Sequence, residues 1–154
     1  MLVIGVGNEL RADDGAGRAV VERLAGDERL AGVRTQSVRQ LLPDLAPDVA
    51  AARLVVFVDA AIDVAPGRVA VGTPAAAIPG SFSHHMTPSA LLELTRALYA
   101  AEPRAVEVRI GAASVELGDP PSPSVEAAIT TAVEAVAAIV AGHLAERPAG
   151  AVDA

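Results

Sequence analysis

Leu54-Val55-Val56-Phe57-Val58-Asp59 is the stretch on which the fold turns. Five apolar residues run without interruption and stop on a carboxylate. A half-exposed strand would alternate apolar with polar, so an unbroken run of this length predicts a strand buried on both faces. Leu2-Val3-Ile4-Gly5-Val6 has the same character and ends in the turn formers Gly7-Asn8. Two such runs predict a mainly parallel sheet with helices on both sides, and these runs as neighbouring interior strands.

The segments around them fit that frame. A helical apolar face recurs at Ala16, Ala19, Val20 and Leu24, with Asp13 or Asp14 placed as its N-cap. Val33 to Val38 reads as a weaker strand, and Pro43 to Ala52 as a helix with Pro43 in its first turn. Arg68 to Val71 is a short strand after the Pro66-Gly67 turn. Residues 73–86 read as a loop. Thr87 caps a helix to about Ala101, Val106 to Ile110 alternates as a strand, and 111–123 is a loop with three prolines. Ser122 or Ser124 caps a long Ala/Val helix to about Glu146. The expected architecture is α/β: a three-layer αβα sandwich of about five strands in one domain over 1–146, with 147–154 as a flexible tail.

Composition narrows the function. The chain has 154 residues, 52% hydrophobic and 20% charged, enough apolar content to build a core. It has no cysteine, which excludes disulfides, thiolate metal sites and a cysteine nucleophile. It has no lysine either, since all 12 basic residues are arginine, so Schiff-base chemistry and a P-loop lysine are excluded. A net charge of −7 and only three aromatic residues argue against nucleic acid as a partner. No unbroken apolar run approaches the roughly 18 residues of a membrane span, and the N-terminus lacks the basic start of a secretory signal. The expectation is a cytoplasmic protein without a membrane partner, whose chemistry comes from carboxylates, three histidines and hydroxyls.

In parallel sheets the functional crevice opens beyond the carboxyl ends of the strands. Asp59 ends one strand there. Asp13-Asp14 follow the turn after another, and two adjacent aspartates exceed what capping needs, so one can cap while the other faces the crevice. His84-His85 lie in the loop before the Thr87 helix, and His143 near the end of the last helix is explained by the helix dipole. Asp14, Asp59 and His84 all project from one edge and form a plausible N/O set for a divalent metal such as nickel or zinc. Gly5-Val6-Gly7-Asn8-Glu9-Leu10 invites a nucleotide reading, but Leu10 stands where the third glycine of that fingerprint belongs.

The segment Gly5-Val6-Gly7-Asn8-Glu9-Leu10-Arg11-Ala12-Asp13-Asp14-Gly15-Ala16-Gly17 resembles the opening motif of the [NiFe]-hydrogenase maturation endopeptidases. Leu54 to Ala60 resembles their strand ending in Asp-Ala. Ser83-His84-His85 through Leu92 resembles their histidine before a leucine-rich helix, and Ile110-Gly111 through Glu126 their closing segment. The resemblance implies an αβα peptidase of the cytoplasm, of metal-linked aspartic type. It removes a C-terminal extension from the hydrogenase large-subunit precursor after nickel insertion. It carries the three metal-contacting positions onto Asp14, Asp59 and His84, the last from its spacing to Leu91. The nickel comes with the substrate, and zinc or cadmium would occupy the same place in vitro. One stretch departs: many members have an Asp-Gly-Gly-Thr-like loop where this chain has Ser37-Val38-Arg39-Gln40-Leu41-Leu42-Pro43. Arg39 and Gln40 there, with Asn8, are the candidate substrate-binding residues. The rival readings are a non-catalytic chaperone that checks the metal of the nickel-loaded precursor, and a small nucleotide-binding αβα domain.

Overall fold

The computed structural model describes residues 1–75 and 86–146. The sheet comprises β1 (Leu2–Val6), β2 (Arg34–Val38), β3 (Leu54–Ala61), β4 (Val69–Gly72) and β5 (Arg104–Gly111) in the order β2-β1-β3-β5-β4. Its helices are α1 (Ala16–Leu24), α2 (Ala46–Ala50), α3 (Pro88–Tyr99) and α4 (Pro123–Ala145). The two apolar runs are adjacent interior strands, with Ile4 opposite Phe57 and Val3 opposite Val56. All of β1 and the first five residues of β3 are buried. β2, β1, β3 and β5 run parallel, and β4 closes the sheet antiparallel to β5.

Strand alternation divides the core into two layers. Val3, Val56, Val58, Val108 and Ile110 pack with α1 and α4. Leu2, Ile4, Val55 and Phe57 pack on the other face with residues of α2 and α3. The site is built over this second face. α1 lies unusually close to the sheet: a Cβ on Gly17 would stand 2.2 Å from the Val58 carbonyl oxygen and 2.4 Å from that of Val6. Only glycine permits that approach.

Several elements differ from the sequence reading. The helix expected over Pro43 to Ala52 is a 3₁₀ turn, Pro43–Leu45, followed by α2. Pro47 has no N–H for the Pro43 carbonyl, so a single α-helix cannot run through, and the helix restarts with Pro47 in its first turn. β2 begins at Arg34 and is largely exposed, as a polar edge strand should be. α3 ends at Tyr99, where Ala100 takes a left-handed conformation. α4 also corrects the membrane estimate. By length and composition it is long and apolar enough to span, with a mean hydropathy of 1.6 over its best window. Here it is a core helix: Val125, Ile129, Val136 and Val140 are buried, while Glu126 and Glu134 face outward to Arg23 and Arg29 of the first third of the chain. The expected tail, 147–154, lies outside the described residues.

Candidate active site

The turns that follow β1, β2, β3 and β5 surround a cavity of about 1070 Å³ at the carboxyl edge of the sheet. Asp14 and Asp59 both line it, as do Asn8, Arg39 and Gln40.

The turn after β1 sets Asp14. Gly7 continues the ladder by donating to the Val38 carbonyl at 3.0 Å, then turns at φ +141°, and a Cβ there would strike the Asp14 carbonyl oxygen. The Asn8 side-chain oxygen accepts from the Leu10 N–H at 3.1 Å, which tightens the loop. The Asn8 N–H donates to Asp14 Oδ2 at 2.9 Å. One carboxylate oxygen of Asp14 is thereby fixed. Asn8, expected to touch substrate, spends its side-chain oxygen on the turn.

Neither aspartate caps α1, contrary to expectation. A 3₁₀ turn, Ala12–Gly15, precedes that helix, and no side chain caps either element. Asp13 is fully buried and points across the molecule instead. Its Oδ2 accepts from the Ala113 and Ser114 N–H groups at 2.8 and 2.9 Å and from the Ser122 hydroxyl at 2.9 Å. Its Oδ1 accepts from the Ser122 N–H at 2.6 Å. Burial alone would raise its pKa, but the hydrogen bonds from Ser122, Ser114 and Ala113 outweigh it and hold the carboxyl below its ordinary range. Ser122 sits at the N-cap position of α4, yet no side chain caps that helix. Its hydroxyl serves Asp13. Asp13 thus fastens the β5–α4 loop to the turn that carries Asp14.

Asp59 sits near the end of β3, half-buried, with Oδ1 accepting its neighbour Ala60 N–H at 2.8 Å. Burial pushes its pKa up to about 7. The Ala60 hydrogen bond opposes this, the negative charges of Asp14 and Glu107 add to it, and Arg109 works against it. A carboxyl poised near neutrality beside a second carboxyl is suited to exchanging a proton for a cation.

Five further charged groups line the cavity and were not singled out from the sequence: Arg11, Asp44, Asp63, Glu107 and Arg109. Arg109 lies directly opposite Asp59 in the β3–β5 register and pairs with Asp63. Glu107, two residues earlier on the same face of β5, is raised by burial despite Arg109 nearby. The signal was present in Val106-Glu107-Val108-Arg109-Ile110. An interior strand with one charged face needs that face open, and here it opens on the cavity.

His84 and His85 lie outside the described residues. Among the described residues no three His, Cys, Asp or Glu side chains converge on one metal position, so Asp14 and Asp59 supply two oxygen donors and no complete ligand set. Thr87 lines the cavity, but its hydroxyl accepts from the Ala90 N–H at 3.2 Å and meets the Ser89 hydroxyl at 3.0 Å, which makes it the expected cap of α3 and not a free nucleophile.

No protein-family model and no curated protein matches the chain. Solved structures do. The hydrogenase maturating endopeptidase HybD from E. coli superposes with a TM-score of 0.74 at 26% identity over 92% of both chains. The [NiFe] hydrogenase maturation protease HybD from Thermococcus kodakarensis gives 0.66 at 25% identity, over 90% of this chain and 97% of that one. The maturation protease HycI from Thermococcus kodakarensis KOD1 gives 0.75 at 23% identity over 91% of both, a likeness of fold.

Proposed function

We propose that this chain, a member of the [NiFe]-hydrogenase maturation protease family, is an endopeptidase that removes a C-terminal extension from a hydrogenase large-subunit precursor after nickel insertion. The observation that carries this reading is the pair Asp14 and Asp59, held on separate strand ends over one cavity, with Asp59 poised near neutral pH. The pair has the charge and donor type to recognise a divalent ion, and nothing in the described cavity has the setting of a serine or threonine nucleophile.

In this reading nickel is part of the substrate. Asp14 offers the oxygen not engaged by Asn8, Asp59 gives up its proton on meeting the ion, and His84 completes the set. The ion supplies Lewis-acid polarisation at the scissile carbonyl. Zinc or cadmium would occupy the same position in vitro. As in the family, the compartment is the cytoplasm.

The test is incubation with nickel-loaded and nickel-free precursor, followed by mass measurement of the product. Shortening of the loaded form alone is expected. Asp14→Asn and Asp59→Asn should each lower the rate by about 10² or more while circular dichroism stays unchanged. Wild-type protein that binds loaded precursor and never shortens it would replace the peptidase reading with that of a metal-checking chaperone.

A further inference from the structure

The chain has 19 acidic and 12 basic residues, so an arginine without a carboxylate is the exception. Most of the described arginines are paired, including Arg18 with Glu9, Arg34 with Asp48 and Arg109 with Asp63. Arg11, Arg39 and Arg68 have no carboxylate within reach among the described residues. Two of these three line the same cavity. Arg11 stands in the turn after β1 and Arg39 directly follows β2. The Gly7 to Val38 hydrogen bond ties these two strand ends together. Asp44 lines the same side without forming an ion pair with either arginine. Asp14 shares the turn after β1 with Arg11, its N–H donating to the Arg11 carbonyl at 2.9 Å, whereas Asp59, Glu107 and the Arg109–Asp63 pair stand over β3 and β5. Over β1 and β2 the cavity thus presents two guanidinium groups that no carboxylate among the described residues pairs, although Asp14 and Asp44 line the same side, while over β3 and β5 the one cation, Arg109, is taken by Asp63.

We propose that Arg11 and Arg39 form a subsite that receives a carboxylate of the polypeptide substrate, supplied by an acidic side chain close to the scissile bond. Guanidinium forks match carboxylate geometry and stay charged at every working pH. The spacing sets where that acid falls. From β2 to β3 are two strand intervals, roughly 10 Å, which an extended peptide covers in about three residues. The acidic residue lies about three residues from the bond held at Asp59. This deepens the peptidase reading and rests on it for the identity of the ligand.

The experiment uses the full chain labelled with ¹⁵N. It is titrated with two acetylated, amidated octapeptides that differ only in one Glu or Gln, and with the Gln peptide bearing a free C-terminal carboxylate. The Glu peptide should move the side-chain Nε–Hε signals of Arg11 and Arg39. Its affinity should fall at least fivefold in 0.5 M salt and in Arg11→Gln or Arg39→Gln. Both variants should keep the wild-type melting temperature, because both side chains are exposed. Shifts with the free-carboxylate peptide alone would overturn the side-chain source in favour of the chain terminus. Equal shifts with the Glu and amidated Gln peptides, or silent arginine signals, would overturn the subsite. In a cleavage assay on nickel-loaded precursor, Arg39→Glu should raise KM about tenfold. Glu-dependent binding by a wild type that never cleaves precursor would sink the peptidase reading and leave the subsite standing.

Discussion

At Asp59, folding and ionisation oppose one another. Its carboxyl titrates near 3.8 when free and near 7 in the fold, where burial disfavours the charge. Well below pH 3.8 both states are protonated and the residue costs nothing. As pH rises the unfolded chain ionises first, and stability is lost progressively until the folded pKa has been passed. Asp59→Asn should therefore stabilise the protein by about 2 kcal/mol at pH 8 and hardly at all at pH 4, while activity collapses. Urea unfolding at the two pH values checks it, and equal gains at both would show that the penalty is not one of ionisation. Asp13 has the opposite sign. Its lowered pKa contributes stability above the ordinary carboxylate range that is lost as pH falls through the folded value. Asp13→Ala would leave three part-buried N–H groups and the Ser122 hydroxyl without their acceptor and should cost about 3 kcal/mol or more by thermal melting.

The element that most tightly positions the site is α1. Gly17→Val would drive a branched side chain into the Val6 and Val58 carbonyls, so α1 must lift from both central strands. A loss of about 3 kcal/mol or more is expected in a circular-dichroism melt; a change within 0.5 kcal/mol would mean that the helix tolerates displacement. What the sequence made legible follows from the range of each interaction. Burial on both faces marks every residue of Leu2–Val6 and Leu54–Val58, so a short window sufficed to identify the interior strands. The break at Pro47 is equally local, since a proline four residues after Pro43 cannot donate to the Pro43 carbonyl. Asp13 was misread because an aspartate before a helix looks like a cap, whereas its partners stand about a hundred residues away. Glu107 and Arg109 were legible as one face of a strand. That this face lies open depends on how the helices distribute over the sheet, which no short window records. Asp14 and Asp59 do face one cavity, as their strand ends predicted.

Across the whole molecule, the parallel strands gather their exits on one side, and exposed apolar side chains gather with them. Leu10, Leu42, Ile62 and Leu117 follow β1, β2, β3 and β5, and Ile62 is 82% exposed. An edge with these exposed apolar groups, of which Leu42 and Ile62 line the cavity, suits a protein surface better than a small solute. Ile62→Glu and Leu117→Glu should leave stability within about 0.5 kcal/mol and weaken precursor binding at least tenfold by calorimetry; unchanged binding would move the docking surface elsewhere. The two core layers are built from apolar side chains, so treatment with a chelator should shift the melting temperature by no more than about 1 °C. The Asp13 fastening, finally, has a meaning in time. Asp13 and Ser122 are 109 positions apart. On the ribosome the turn bearing Asp14 and the strand bearing Asp59 emerge early, but the donors that anchor their surroundings are made last. A nascent or truncated chain ending before residue 113 carries both carboxylates and none of the loop that braces them. Competence arrives with completion of the polypeptide, and an unfinished copy is an idle one.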